Sequence, residues 1–74
     1  MTATRDELEH AVAWRERVEP HLVVALGVAE IALDLCPAAI ERAKLRRAVN
    51  ELRATLREVE TNLSVGRGRL RREP

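Results

Sequence analysis

Two prolines, at positions 20 and 37, constrain the fold of this chain more than any other feature of its sequence. Ala, Leu, Arg and Glu dominate the remainder, Phe and Tyr are absent, and no stretch has the period of two that marks a strand. Proline lacks a backbone N–H and clashes with the carbonyl four residues earlier, so it interrupts or kinks a helix. We therefore expect an all-α chain with three helical segments, 4–19, 21–36 and 37–64, and a kink or break at Pro20.

The first segment begins with the spacing of a capping box. The hydroxyl of Thr4 can accept a hydrogen bond from the backbone N–H of Glu7, while the Glu7 side chain reaches back. The residues that follow are amphipathic, with one broad apolar face and one charged face. We expect one side of this helix to be buried and the other to face water.

The second segment, 21–36, is unusually apolar, with 12 apolar residues among 16. Gly27, Glu30 and Asp34 form its only polar strip, which is about 60° wide at 100° per residue. Such a helix needs cover on nearly all sides. Small residues lie opposite the polar strip and large aliphatic residues flank them, so a second helix backbone could approach closely. The predicted protein interface consists of Leu22, Ala25, Leu26, Ala29, Ala32, Leu33 and Cys36.

The third segment carries aliphatic residues at alternating spacings of four and three, which is a heptad pattern. These residues are Leu45, Val49, Leu52, Leu56, Val59 and Leu63. We expect Leu52, Leu56 and Val59 to form an intramolecular seam. Gly66 is the expected C-cap. This gives a single helical domain over residues 1–66 and a basic tail over 67–74.

The segment lengths favour a hairpin. If Pro20 only kinks one long helix, residues 4–36 span about 50 Å and can fold back beside residues 37–64. A lone hairpin would leave an apolar patch larger than monomers usually expose. We therefore predict that two hairpins pair as a dimeric antiparallel four-helix bundle, or that the helices of another protein replace the second copy. The alternative is a monomeric three-helix bundle.

Motifs for catalysis are absent from this sequence: it contains no Gly-rich phosphate loop, HExxH, CxxC or nucleophile elbow. His10 with Glu7 offers two potential metal ligands, a commonplace pair in an acidic helix, and Cys36 is read as a small apolar residue. Glu30 and Asp34 are expected to face water or to pair with Arg42, Arg46 or Arg53. The sequence thus predicts no enzyme activity, no cofactor, no metal site and no small-molecule substrate.

The last ten residues carry four arginines and one acid, a net charge of +3, whereas residues 1–64 carry nine basic and eleven acidic residues, a net charge of −2. Forked guanidinium groups at Arg67, Arg69, Arg71 and Arg72 could contact phosphates or an acidic partner surface. A second hypothesis follows from this tail: a nucleic-acid-associated regulator in which a dimeric bundle presents two Arg-rich tails.

The composition also indicates a cellular location and a type of source genome. A single cysteine excludes an intramolecular disulfide, no signal peptide is evident, and no apolar run reaches the roughly 20 residues of a bilayer span, so we expect a cytoplasmic protein. The bias toward Arg and Ala is typical of GC-rich bacterial or phage genomes. The leading hypothesis is a structural or adaptor protein that self-associates through its Ala-lined helix and its heptad seam.

Overall fold

The computed structural model describes residues 4–72, and these form two helices that pack against each other as an antiparallel hairpin. Helix α1 spans Arg5–Leu35 and helix α2 spans Ala39–Arg72. A connection of three residues, 36–38, joins them, and no strand occurs within residues 4–72. The hairpin is elongated, with extents of 55 × 22 × 14 Å. The all-helical fold class is therefore confirmed, while the pairing of two hairpins stays a prediction.

Local signals in the sequence account for both ends of α1. The backbone N–H of Glu7 donates to Oγ1 of Thr4 at 3.2 Å, which confirms the predicted N-cap. At the other end, Pro37 disfavours a helical conformation at the residue before it, and Cys36 accordingly has an extended backbone with φ −76° and ψ 118°. Pro37 itself lies in the connection and not in a helix. Helix α2 begins at Ala39, two residues later than the sequence predicts.

Pro20 lies inside α1 without ending it, so the predicted separation into segments 4–19 and 21–36 is replaced by one continuous helix. Proline removes one backbone hydrogen bond and costs about 3 kcal/mol in a helix interior. Tertiary contacts on both sides offset this cost: Val12 belongs to the buried core and Leu22 packs against it. A local rule is overridden here by packing of the flanking turns.

Helix α2 also continues past its predicted end. Gly66 is a buried helical residue and not a C-cap, and the segment from Arg67 to Arg72 is helical, where the sequence predicts a tail. A Cβ atom at Gly66 would lie 2.7 Å from Cγ2 of Val12, so the absence of a side chain lets the two helices approach closely. Leu70, one turn further, packs against the core and extends the contact beyond Gly66.

The core lies at the end of the hairpin where the two described chain ends meet. Its buried members come from both helices: Leu8 and Val12 from α1, and Val59 and Leu63 from α2. All six residues of the predicted heptad seam are buried or half-buried, with Val49, Val59 and Leu63 buried and the other three half-buried. The heptad face of α2 is therefore its packed face.

Candidate functional site

Helix α1 carries two lines of residues with heptad spacing, and only one of them faces α2. The inner line is buried or half-buried and consists of Leu8, Val12, Arg15, Glu19, Leu22, Leu26, Ala29 and Leu33. The outer line is exposed and consists of His10, Trp14, Arg17, His21, Val24, Val28, Ile31 and Leu35. Each outer residue follows an inner one by two positions, which places the two lines about 160° apart around the helix.

The second half of the outer line is an apolar stripe made of Val24, Val28, Ile31 and Leu35. These four side chains are exposed to 64%, 62%, 60% and 77% of their full area. Their spacings of four, three and four residues align them along one side of the helix. A contiguous patch of large aliphatic side chains marks an interaction surface more often than isolated exposed residues do. We take the apolar stripe as the candidate site.

The structure divides the predicted interface between two faces. Leu22, Leu26, Ala29 and Leu33 belong to the inner line, and Cys36 follows that line at the chain turn, so these five residues pack within the hairpin. Ala25 and Ala32 are exposed beside the apolar stripe. From the sequence alone, the four stripe residues are expected only to flank the line of small residues. The signal that could have identified them is the second heptad line, which also includes Trp14.

Cys36 takes part in closing the turn between the helices. Its backbone N–H donates to the carbonyl of Leu33 at 3.3 Å, and its thiol donates to the carbonyl of Ala38 at 3.6 Å. The guanidinium of Arg42 donates from Nε and Nη2 to the Cys36 carbonyl oxygen at 3.1 and 2.6 Å. Bonds to a charged donor are among the stronger ones, so Arg42 ties α2 to the end of α1.

Among residues 4–72, two ion pairs join the helices on the flank away from the apolar stripe. Nη2 of Arg53 lies 3.9 Å from Oε1 of Glu30, and Nη2 of Arg67 lies 3.3 Å from Oε2 of Glu16. The first contact confirms that Glu30 pairs with one of the three arginines expected from the sequence. All four side chains are about half exposed, a setting in which such pairs stabilise by less than about 1 kcal/mol each.

Charge is distributed unequally between the helices. Residues 5–35 contain three basic and seven acidic residues, a net charge of −4, while residues 39–72 contain ten basic and four acidic residues, a net charge of +6. The four arginines of the predicted tail form the last turns of α2: Arg67 pairs with Glu16, Arg69 is half-buried, and Arg71 and Arg72 are exposed. The hairpin also places this basic end near the acidic first turn of α1, which contains Asp6 and Glu7.

A shallow depression of about 160 Å³ lies on the first half of the outer line. It is lined by His10, Ala13, Trp14 and Arg17, which have the positions i, i+3, i+4 and i+7. Trp14 is 57% exposed, so much of its aromatic surface is available for contact. Four residues with this spacing form the hole that receives one side chain when two helices pack knobs-into-holes.

The chain matches no protein-family model, no curated protein and no solved structure. Within residues 4–72, neither helix combines the length and the hydropathy needed to cross a membrane. No group of three or more His, Cys, Asp or Glu side chains in that same range could hold a metal ion.

Proposed function

We propose that this protein is a helical protein–protein interaction module, with no catalytic role of its own, which self-associates through the outer line of α1. The observation that carries the proposal is the apolar stripe, in which Val24, Val28, Ile31 and Leu35 are each at least 60% exposed. Burial of apolar surface stabilises association by about 25 cal/mol per Å². The stripe is the part of the described surface with the most to gain from being covered.

The total surface area supports the same proposal. The accessible surface is 5818 Å². A compact monomer of 8.4 kDa is expected to expose about 4,600 Å². The surplus of about 1,200 Å² exceeds the roughly 800 Å² that each partner buries in a standard interface. An elongated hairpin with this surplus can bury a full interface without changing its fold.

Nucleic-acid binding stays a second prediction, and the net charge of +6 on α2 is the feature that favours it. The helical conformation of residues 67–72 and the Glu16–Arg67 pair distinguish this surface from the flexible tail expected from the sequence. Arg67, Arg71 and Arg72 are exposed there, and Arg67 is the one that pairs with Glu16.

Self-association can be tested with substitutions on the apolar stripe. We expect the native chain to form an oligomer at micromolar to millimolar concentrations, and we expect Val24→Gln combined with Val28→Gln to have the mass of one chain. Gln keeps good helix propensity while it removes the apolar surface. Light scattering coupled to size-exclusion chromatography gives the mass, and circular dichroism verifies that both helices are retained.

Val23→Gln is the matched control. Val23 is 51% exposed and lies in the same turn, but it lies about 20° from Glu30 around the helix, on the charged flank. We expect this variant to have the native mass. A native chain that keeps the mass of one chain throughout the concentration range would contradict the proposed function.

A further inference from the structure

We infer that two copies of this chain pack antiparallel along α1, with Ile31 of each copy seated in the depression beside Trp14 of the other. This inference rests on the proposed function and specifies its partner and its geometry. Two separate features of the outer line support it: a knob-bearing half, which is the apolar stripe, and a hole-bearing half, which is the depression lined by His10, Ala13, Trp14 and Arg17.

The register follows from the heptad spacing. In an antiparallel pair with a two-fold axis, the register that pairs the whole outer line places residue i opposite residue 45 − i. Trp14 then faces Ile31 of the partner subunit, and Arg17 faces Val28 of the partner subunit. In the same register, His10 meets Leu35 and His21 meets Val24 of the partner subunit. All eight residues of the outer line therefore find a counterpart, over an axial length of about 38 Å.

The size of the depression suits this occupant. Its volume of about 160 Å³ is similar to that of engineered apolar cavities of roughly 150 Å³ that accept a benzene molecule. An isoleucine side chain from a facing helix can fill such a space, with the ring of Trp14 as one wall and the methyl group of Ala13 as another. The two-fold axis creates this contact twice.

Small residues beside the outer line permit a close approach of the two helices. Ala25 and Ala32 are exposed on one side of the apolar stripe. Gly27 lies on the other side, with open space where a Cβ atom would be. Parallel packing in register would instead align Arg17 with Arg17 of the partner subunit, which is a repulsive contact. The antiparallel register replaces it with Arg17 beside Val28, where the guanidinium can extend into water.

The inferred dimer differs from a square four-helix bundle. Because the inner and outer lines of α1 lie about 160° apart, the four helices form a row in the order α2, α1, α1 of the partner, α2 of the partner. The two α1 helices, which carry the apolar stripe, are then central and the two α2 helices are outermost. Every exposed valine, isoleucine or leucine of the outer line is covered by this order.

Trp14 is the only tryptophan in the chain, so its fluorescence reports on the depression directly. We expect the emission maximum of the full-length chain to move to shorter wavelength over the same concentration range in which the mass doubles. We expect Ile31→Ala to weaken dimerisation about 100-fold, because two copies of the contact lose three carbon atoms each. Val23→Ala should change the dissociation constant less than about twofold.

Disulfide trapping tests the orientation, with Cys36 replaced by Ala so that only introduced thiols react. A mixture of the Arg17→Cys and Val28→Cys variants should yield a mixed disulfide dimer upon oxidation, and Val28→Cys alone should not cross-link. A mass that doubles without any shift of Trp14 emission, or cross-linking of Val28→Cys with itself, would overturn this register while leaving self-association intact. A chain that stays monomeric would overturn both proposals.

Discussion

The two ends of the hairpin differ in burial, and the end with the more hydrophobic sequence is the less buried one. The terminal end, residues 5–22 and 56–72, contains the buried core of Leu8, Val12, Val59 and Leu63, although its α1 segment is amphipathic and strongly charged. The loop end, residues 23–55, contains the most apolar segment of the chain, yet its buried residues are only Cys36 and Val49 among those that the structure describes. Burial therefore follows what the neighbouring helix can cover.

The physical reason is the number of apolar lines on α1. At the terminal end the inner line is the main apolar one, and the heptad face of α2 covers it. At the loop end α1 has two apolar lines about 160° apart, and a single neighbouring helix can cover only one of them. The second apolar line, which makes the loop-end half of α1 the most hydrophobic part of the sequence, is thus left in contact with solvent.

The largest expected effect comes from removing a buried leucine at the terminal end and comparing it with an exposed one at the loop end. Leu63→Ala should destabilise the fold by about 2–5 kcal/mol, because Leu63 is 1% exposed and its removal leaves a cavity. Leu35→Ala, at 77% exposure, should change the stability of the monomer by less than about 0.5 kcal/mol. Urea titration at concentrations below the dimer dissociation constant measures both. Equal losses of unfolding free energy in the two variants would contradict the difference in burial between the two ends.

Two of the three glycines, Gly27 and Gly66, give a smaller effect, with opposite signs. Gly27 has open space around it, so Gly27→Ala should stabilise the monomer by about 0.5–1 kcal/mol through helix propensity. At Gly66 the same change places a methyl group 2.7 Å from Val12, and the resulting strain outweighs the propensity gain by about 1 kcal/mol. Thermal and urea unfolding of the two variants should move in opposite directions. A stabilised Gly66→Ala variant would mean that the helices separate there at little cost.

The smallest expected effect is at the ion pairs, one near each end. Arg67→Gln and Arg53→Gln should each cost less than about 1 kcal/mol, with the 3.3 Å pair to Glu16 more affected than the 3.9 Å pair to Glu30. Both losses should vanish near 1 M salt, where the Debye length falls to about 3 Å. A salt-independent loss in either variant would argue that the arginine stabilises the fold by packing its aliphatic stem and not by its charge.

Much of the fold could be predicted from local patterns. The capping residue Thr4, the chain turn at Pro37 and the heptad face of α2 each depend on residues close in sequence, and each is found in the structure. The continuity of α1 through Pro20 and of α2 through Gly66 depends on contacts between distant residues, such as Gly66 with Val12, which no local pattern encodes.

The sequence did not predict the candidate site, for a related reason: Val24, Val28, Ile31 and Leu35 all lie outside the interface expected from the sequence. Both lines of α1 have the same spacing, so periodicity alone does not say which of them meets α2. Leu8 and Val12, at the far end of the helix, begin the inner line and lie in the core with Val59 and Leu63, so the inner line is the one that faces α2. The stripe of Val24, Val28, Ile31 and Leu35 is exposed as a consequence.

Because the chain turns once, Thr4 and Arg72 lie at the same end of a 55 Å molecule. In the antiparallel dimer inferred above, the two-fold axis would place the second pair of described ends at the opposite pole, with the two Thr4 residues about 55 Å apart. Such a dimer would be a rod with one pair of described ends at each pole, and the number of turns in α1 would set its length.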